Sequence, residues 1–174
     1  MTLQELFKKY KGDARTLIET GTYNGVGVSA ALKAGFDTVF SFEIDEVLAM
    51  KAENKFKNNS NVLIYHDTSS GIQFKAICNN LIKPCVFWLD AHKMGVNGTI
   101  PDDYPLTAEI EAISKSKVPH VVLMDDVRLF ERYGTSPDDI IKRLSVNSPK
   151  YKVVYETIRD KYPNDVLCFV PTKN

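Results

Sequence analysis

Apolar runs rich in β-branched and aromatic residues recur at regular intervals along the 174 residues, and the segments between them place apolar positions at helical spacing. The runs RTLIE (15–19), DTVFSFE (37–43), NVLIYH (61–66), CVFWLD (85–90) and HVVLMD (120–125) predict five strands. Helices are predicted over 2–10, 25–35, 46–57, 70–82, 105–115 and 137–145. Strand alternating with helix is the mark of βαβ units, so these five strands are expected to be parallel and central. Their near-continuous hydrophobicity suits a sheet covered by helices on both faces. After Pro149 the pattern changes, because YKVVYETI and DVLCFV are separated only by RDKYPN. That connection is too short for a crossover helix and suits an antiparallel hairpin. The expected architecture is α/β and doubly wound, a seven-stranded sheet of five parallel strands with a C-terminal antiparallel hairpin.

The length allows one domain over 1–174 with a core burying roughly 70% of the unfolded surface. Lysine plus arginine (22) equals aspartate plus glutamate (22), so no basic field advertises a nucleic-acid partner, and none is expected. No stretch approaches the ~20 apolar residues needed to span a bilayer, and MTLQELFKKYKGDARTL lacks a signal-peptide core. A soluble, cytoplasmic protein without membrane contacts is expected, and a homo-oligomer is compatible with the sequence. Cys78, Cys85 and Cys168 are an odd number at wide spacing inside apolar segments, which suits reduced core thiols.

In open α/β sheets, ligands bind beyond the carboxyl ends of the strands. Those ends carry Glu19, Glu43, Asp67, Asp90 and the pair Asp125 and Asp126, so each predicted parallel strand finishes on or beside a carboxylate. The stretch ETGTYNGVGVSAA follows the first strand and opens the first crossover helix, where glycines let a ligand approach the backbone and the helix offers free amides. Two frames compete in it. Gly25, Gly27 and Ala30 satisfy the dinucleotide fingerprint GxGxxG/A, but there the first glycine turns directly off the strand, whereas Thr20 to Asn24 intervene here. The frame that starts at the strand end is ExGxxxG, carried by Glu19, Gly21 and Gly25.

That frame, with the acid ending the second strand in FSFEID, resembles the class I S-adenosylmethionine (SAM) dependent methyltransferases over nearly the whole chain, which implies a Rossmann-like fold. The resemblance implies that Glu19, Gly21, Thr22, Tyr23, Asn24 and Gly25 hold the methionine portion of SAM. It likewise gives Glu43, next to Ile44, the ribose diol; a carboxylate accepts two hydrogen bonds at once. Asp67, with Thr68, falls where the family places an adenine-contacting acid, although these residues also suit a helix cap.

The segments FWLDAH, PLTAEIEAI and VVLMDDVRLF are similar to metal-dependent sugar and macrocin-type O-methyltransferases. By that resemblance Asp90, Asp125 and Asp126 hold a divalent cation such as Mg²⁺, which would lower the pKa of an acceptor hydroxyl. Asp90 also borders the cofactor, and is a catalytic candidate with His92, two residues on, the expected general base. His66 and His120 fit structural roles, Trp88 the core, and Arg128 and Arg132 exposed loop positions, a counter-charge to the acid pair or a site for an anionic substrate. The polar loop 93–104 (KMGVNGTIPDDY) has the character of a lid. The expected function is SAM-dependent O-methylation of a small-molecule or sugar hydroxyl. An NAD-type oxidoreductase using GVGVSA and a non-catalytic SAM-binding module are the alternatives.

Overall fold

The computed structural model describes residues 1–91, 104–145, 151–158 and 162–172. The first elements are α1 (Leu3–Lys11), β1 (Thr16–Thr20), α2 (Val26–Ala34), β2 (Thr38–Glu43), α3 (Glu46–Phe56), β3 (Val62–His66) and α4 (Ile72–Asn80). They are followed by β4 (Val86–Leu89), α5 (Leu106–Ser114), β5 (Val121–Met124), a 3₁₀ segment (Val127–Tyr133), α6 (Pro137–Ser145), β6 (Tyr151–Glu156) and β7 (Val166–Pro171). The seven strands form one sheet in the order β3-β2-β1-β4-β5-β7-β6. β1 to β5 are parallel, and β7 runs antiparallel between β5 and β6. The predicted architecture is the observed one.

The local chemistry explains the boundaries. Thr2 and Glu5 form a capping box at the start of α1, and the Asp45 carboxylate accepts from Leu48 N at 3.0 Å to start α3. Gly35, at φ 85°, ends α2 in the left-handed region that a side chain disfavours. One face of the sheet packs Leu17, Val39, Val86, Trp88 and Leu123 against Phe7 of α1, Val28 and Ala31 of α2 and Phe56 of α3. The other packs Ile18, Phe42, Phe87, Val122 and Phe169 against Phe74 of α4, Ile110 of α5 and Ile140 of α6. Trp88 is fully buried, as expected, with the Phe7 ring 5.6 Å away edge-on.

One expectation needs correction. β3 is parallel but not central: it pairs only with β2 and closes one edge of the sheet, so its side chains are partly exposed and Leu63 faces solvent. Its run of apolar residues is half-covered, which periodicity alone does not distinguish from full burial. The three cysteines are free and buried, and burial pushes the Cys78 and Cys168 thiols up to about 12 and Cys85 to about 11. Among the described residues no helix is long and apolar enough to cross a membrane.

Candidate functional site

The parallel strands end level with one another. The rung Tyr65, Phe42, Thr20, Leu89, Met124 crosses all five, and the ladder continues one residue further. Asp67 N donates to Glu43 O at 3.1 Å, Gly21 N to Phe42 O at 2.9 Å, Asp90 N to Thr20 O at 3.1 Å and Asp125 N to Leu89 O at 3.1 Å. Asp67, Glu43, Gly21, Asp90 and Asp125 therefore line a single sheet edge. The strand order reverses between β1 and β4, so Gly21 and Asp90 flank the crevice where doubly wound sheets bind ligands.

Each glycine of the loop has its own reason. Gly21, at φ 84°, turns directly off β1, and a Cβ there would overlap the Asp90 carbonyl. Gly25, at φ 68°, starts α2, with the Phe56 ring 2.6 Å from where a Cβ would stand. Gly27 has no left-handed backbone; it lies in the first turn of α2, where a Cβ would overlap Glu19 Oε1. The turn off the strand thus belongs to Gly21, the ExGxxxG frame, and Gly27 serves helix-to-strand packing.

Glu19 and Thr22, expected among the cofactor contacts, face inward instead. Glu19 is 1% exposed, and its Oε2 accepts from Ser41 Oγ at 2.5 Å; Ser41 Oγ lies 2.6 Å from the buried Thr22 Oγ1. Burial raises the Glu19 pKa to about 8, opposed by the Ser41 hydrogen bond and aided by the charges of Asp90 and Glu43. The carboxyl is a prop beneath the loop, filling the space that Gly27 leaves open.

Around Glu43 the loop does reach the surface. Glu43 is 7% exposed, with Oε2 accepting from Tyr23 N at 2.7 Å and Oε1 from Asp45 N at 3.0 Å. Two backbone amides fix its plane, and each oxygen keeps a further lone pair. Tyr23 (64% exposed) and Ile44 (56% exposed) flank it with apolar surface, and Asn24 is exposed between the glycines. Lys55 Nζ donates to Asn24 O at 2.8 Å and Gly25 O at 3.3 Å, tying α3 to the loop. A carboxylate between apolar flanks, above a loop that admits backbone approach, fits an adenosyl group. Asp67 and Thr68 do not cap α4, whose N-cap is Gly71; Asp67 Oδ1 accepts from Thr68 N at 2.8 Å and Thr68 Oγ1 lies 2.8 Å from Ser70 Oγ.

Beyond β4 and β5 the grouping differs from the expected one. Asp90 is half-buried at the crevice; His92 and loop residues 93–103 lie outside the described residues. Asp125 and Asp126 cluster not with Asp90 but with Asp165, three carboxylates with ligand atoms within 4.8 Å of one another. Asp165, immediately before β7, was not anticipated. Its signal was the hairpin: an antiparallel run beside β5 returns its first residues to this edge, as the pairing of Leu167 with Met124 shows. Arg128, in the 3₁₀ segment, reaches into the cluster. Its Nη1 donates to Asp126 Oδ1 at 2.5 Å and to Asp165 Oδ2, and its backbone N–H donates to Asp165 Oδ1 at 3.0 Å. The place a divalent ion would take between Asp126 and Asp165 holds a guanidinium, so these residues do not fit Mg²⁺, and Asp90 is not of the trio.

Of the remaining histidines, one is buried away from this edge and one stands at it. His120 is buried, accepting from Cys85 N at 3.1 Å and sitting 2.8 Å from Ser116 Oγ, and burial lowers its pKa to about 4. His66 is exposed at the end of β3. A polar depression lined by Lys11, Gly12, Asp13, Arg15 and Asp37 lies at the opposite edge, where β1 and β2 begin.

No protein-family model and no curated protein sequence matches this chain. Solved structures do match its fold. The SAH-bound methyltransferase PaMTH1 from Podospora anserina superposes with a TM-score of 0.65 at 13% identity, over 98% of this chain and 76% of that one. An rRNA methylase from Streptococcus thermophilus gives 0.60 at 11% identity over 98% and 94% of the two chains. The N-methyltransferase NodS from Bradyrhizobium japonicum WM9 gives 0.61 at 12% over 98% and 94%. The chain therefore has the Rossmann-like methyltransferase fold.

Proposed function

We propose that this chain is a SAM-dependent methyltransferase whose cofactor lies on the loop 21–25 with its ribose on Glu43. The observation that carries the reading is Glu43: a carboxylate fixed by Tyr23 N and Asp45 N, between exposed Tyr23 and Ile44, beside the crevice at the strand-order reversal. A fold shared with an SAH-bound methyltransferase supports it. When bound, SAM supplies an electron-poor methyl group whose carbon bonds to the acceptor's nucleophile as its bond to sulfur breaks and the electron pair stays on sulfur. The chain's own part is alignment and water exclusion. Tyr23 and Ile44 cover apolar surface, Glu43 accepts hydroxyl protons in hydrogen bonds, and Asp90 faces the reacting end. Asp90 or His92 would take the proton that an oxygen acceptor releases. No step depends on a divalent ion.

A small-molecule or sugar hydroxyl remains the proposed acceptor, in keeping with a formal net charge of zero. An RNA acceptor is the second reading, favoured by the rRNA methylase among the similar folds. Calorimetry with SAM and SAH tests the cofactor. Binding by the wild type and a loss of about 100-fold in Glu43→Ala, ~3 kcal/mol for a charge-assisted pair, is the expected result. Saturation by NAD(H) without a response to SAM, or undiminished SAH binding in E43A, would overturn it. Transfer of labelled methyl to RNA rather than to hydroxyl compounds would replace the first acceptor reading with the second.

A further inference from the structure

Asp125 and Asp126 leave β5 side by side, and Asp165 joins them from the far end of the β6–β7 connection. Three carboxylates this close repel one another unless a cation lies among them. Arg128 meets that need through several contacts at once. Its backbone N–H and Nη1 engage the two oxygens of Asp165, the same Nη1 engages Asp126 Oδ1, and its guanidinium carbon stands 4.0 Å from the centre of the Tyr162 ring. Val127 N also donates to Asp165 O at 3.1 Å, so the backbone holds the arginine's own segment in place. A guanidinium is planar and always charged, so once stacked and bonded it has a fixed direction.

We propose that Arg128 is the resident cation of this acidic cluster: a positioning residue that orients Asp126 and Asp165 without a divalent ion and keeps such an ion out. Asp126 Oδ1 and Asp165 Oδ2 are both turned toward Nη1, and a dication placed beside a guanidinium meets its repulsion. The backbone agrees. Asp126 carries φ 58°, a left-handed conformation that costs energy in a residue with a side chain, and its side chain is tied down by Arg128. One guanidinium thereby holds a strained β5 exit to the hairpin. The inference rests on the geometry of the cluster alone and stands or falls independently of methyl transfer.

Mn²⁺ is the probe, followed by paramagnetic resonance and calorimetry on the full chain, with thermal melts beside them. Wild type is expected to show no saturable Mn²⁺ site and a melting temperature that neither EDTA nor Mn²⁺ moves. Arg128→Met should melt lower, gain a saturable Mn²⁺ site, and recover melting temperature when Mn²⁺ is added; a second substitution, Asp165→Asn, should remove that gain. Arg128→Lys, which keeps the charge, should stay metal-blind. A stoichiometric Mn²⁺ site in wild type that Asp126→Asn abolishes would overturn the inference, and this arm decides even where R128M does not fold. An R128M that folds and gains no Mn²⁺ site overturns it equally.

Discussion

The two halves of the sheet edge are built in opposite ways. On the β1–β2 side the site is backbone: glycines at 21, 25 and 27, each pressed against a neighbour, with a buried carboxyl beneath and Glu43 held by two amides. On the β4–β5 side it is side-chain charge: Asp125, Asp126 and Asp165 around Arg128, assembled from segments far apart in the chain. The first half presents shape, which under the proposed function suits a cofactor that stays the same. The second presents charge that a few substitutions could rewrite, which under the same proposal suits the part of a site that distinguishes acceptors.

The sharpest way to break this comparison is at Gly27. If the β1–β2 half is locked by packing, Gly27→Ala drives a methyl into Glu19 Oε1 with no room to yield, because Glu19 is itself fixed by Ser41. The expected loss is about 3 kcal/mol in chemical denaturation, at the upper end for overpacking a core. Glu19→Ala in the same chain should recover at least part of it, a positive coupling typical of touching residues. Additive effects would show that the glycine and the carboxyl do not oppose each other.

The next largest effect is in pH. Glu19 moves from an ordinary carboxyl value of 4.5 to about 8 in the fold, burial being the chief cause. Between those values the folded chain keeps a proton that the unfolded chain has released, so the contribution of Glu19 to stability falls as pH rises from about 4.5 to about 8 and levels off above. Glu19→Gln should remove that contribution, so the stability of wild type relative to the variant falls over this range. At pH 9 the variant should be the more stable by on the order of 2 kcal/mol, or roughly 5 °C in melting temperature. His120, lowered to about 4 by burial, destabilises both proteins equally at acid pH and cancels in the difference. Parallel pH profiles for the two would mean that Glu19 is ionised in the fold.

The same contrast explains what could be read from sequence. Alternation of strand and helix placed every strand within a residue or two, since βαβ units need only local patterning, and the carboxylates at successive strand ends do share one sheet edge. What failed was direction and long-range grouping. Nothing in the spacing of Glu19 shows that its side chain turns inward to Gly27 rather than outward to a ligand. Asp165 meets Arg128 across 37 residues, a contact fixed by the register of β7 on β5 and not by any motif. β3 reads as a buried strand because an edge strand with one covered face can be as apolar as a central one.

The smallest expected effect tests whether the loop supports itself. Lys55 lies in the last turn of α3, exposed, and donates to the carbonyls of Asn24 and Gly25. Exposed charged groups contribute little, and the loop already has its glycine contacts and the Glu19 prop, so Lys55→Met should change unfolding free energy by no more than about 0.5 kcal/mol. Its effect should appear in binding instead: freeing the two carbonyls loosens the segment that carries Tyr23 N to Glu43, weakening SAH by about threefold, ~0.7 kcal/mol. Lys55→Arg, which can still donate there, should restore most of that. A K55M defect as large as that of E43A would mean that the loop hangs from Lys55 rather than resting on Glu19, and both halves of the edge would then be ordered by a cation.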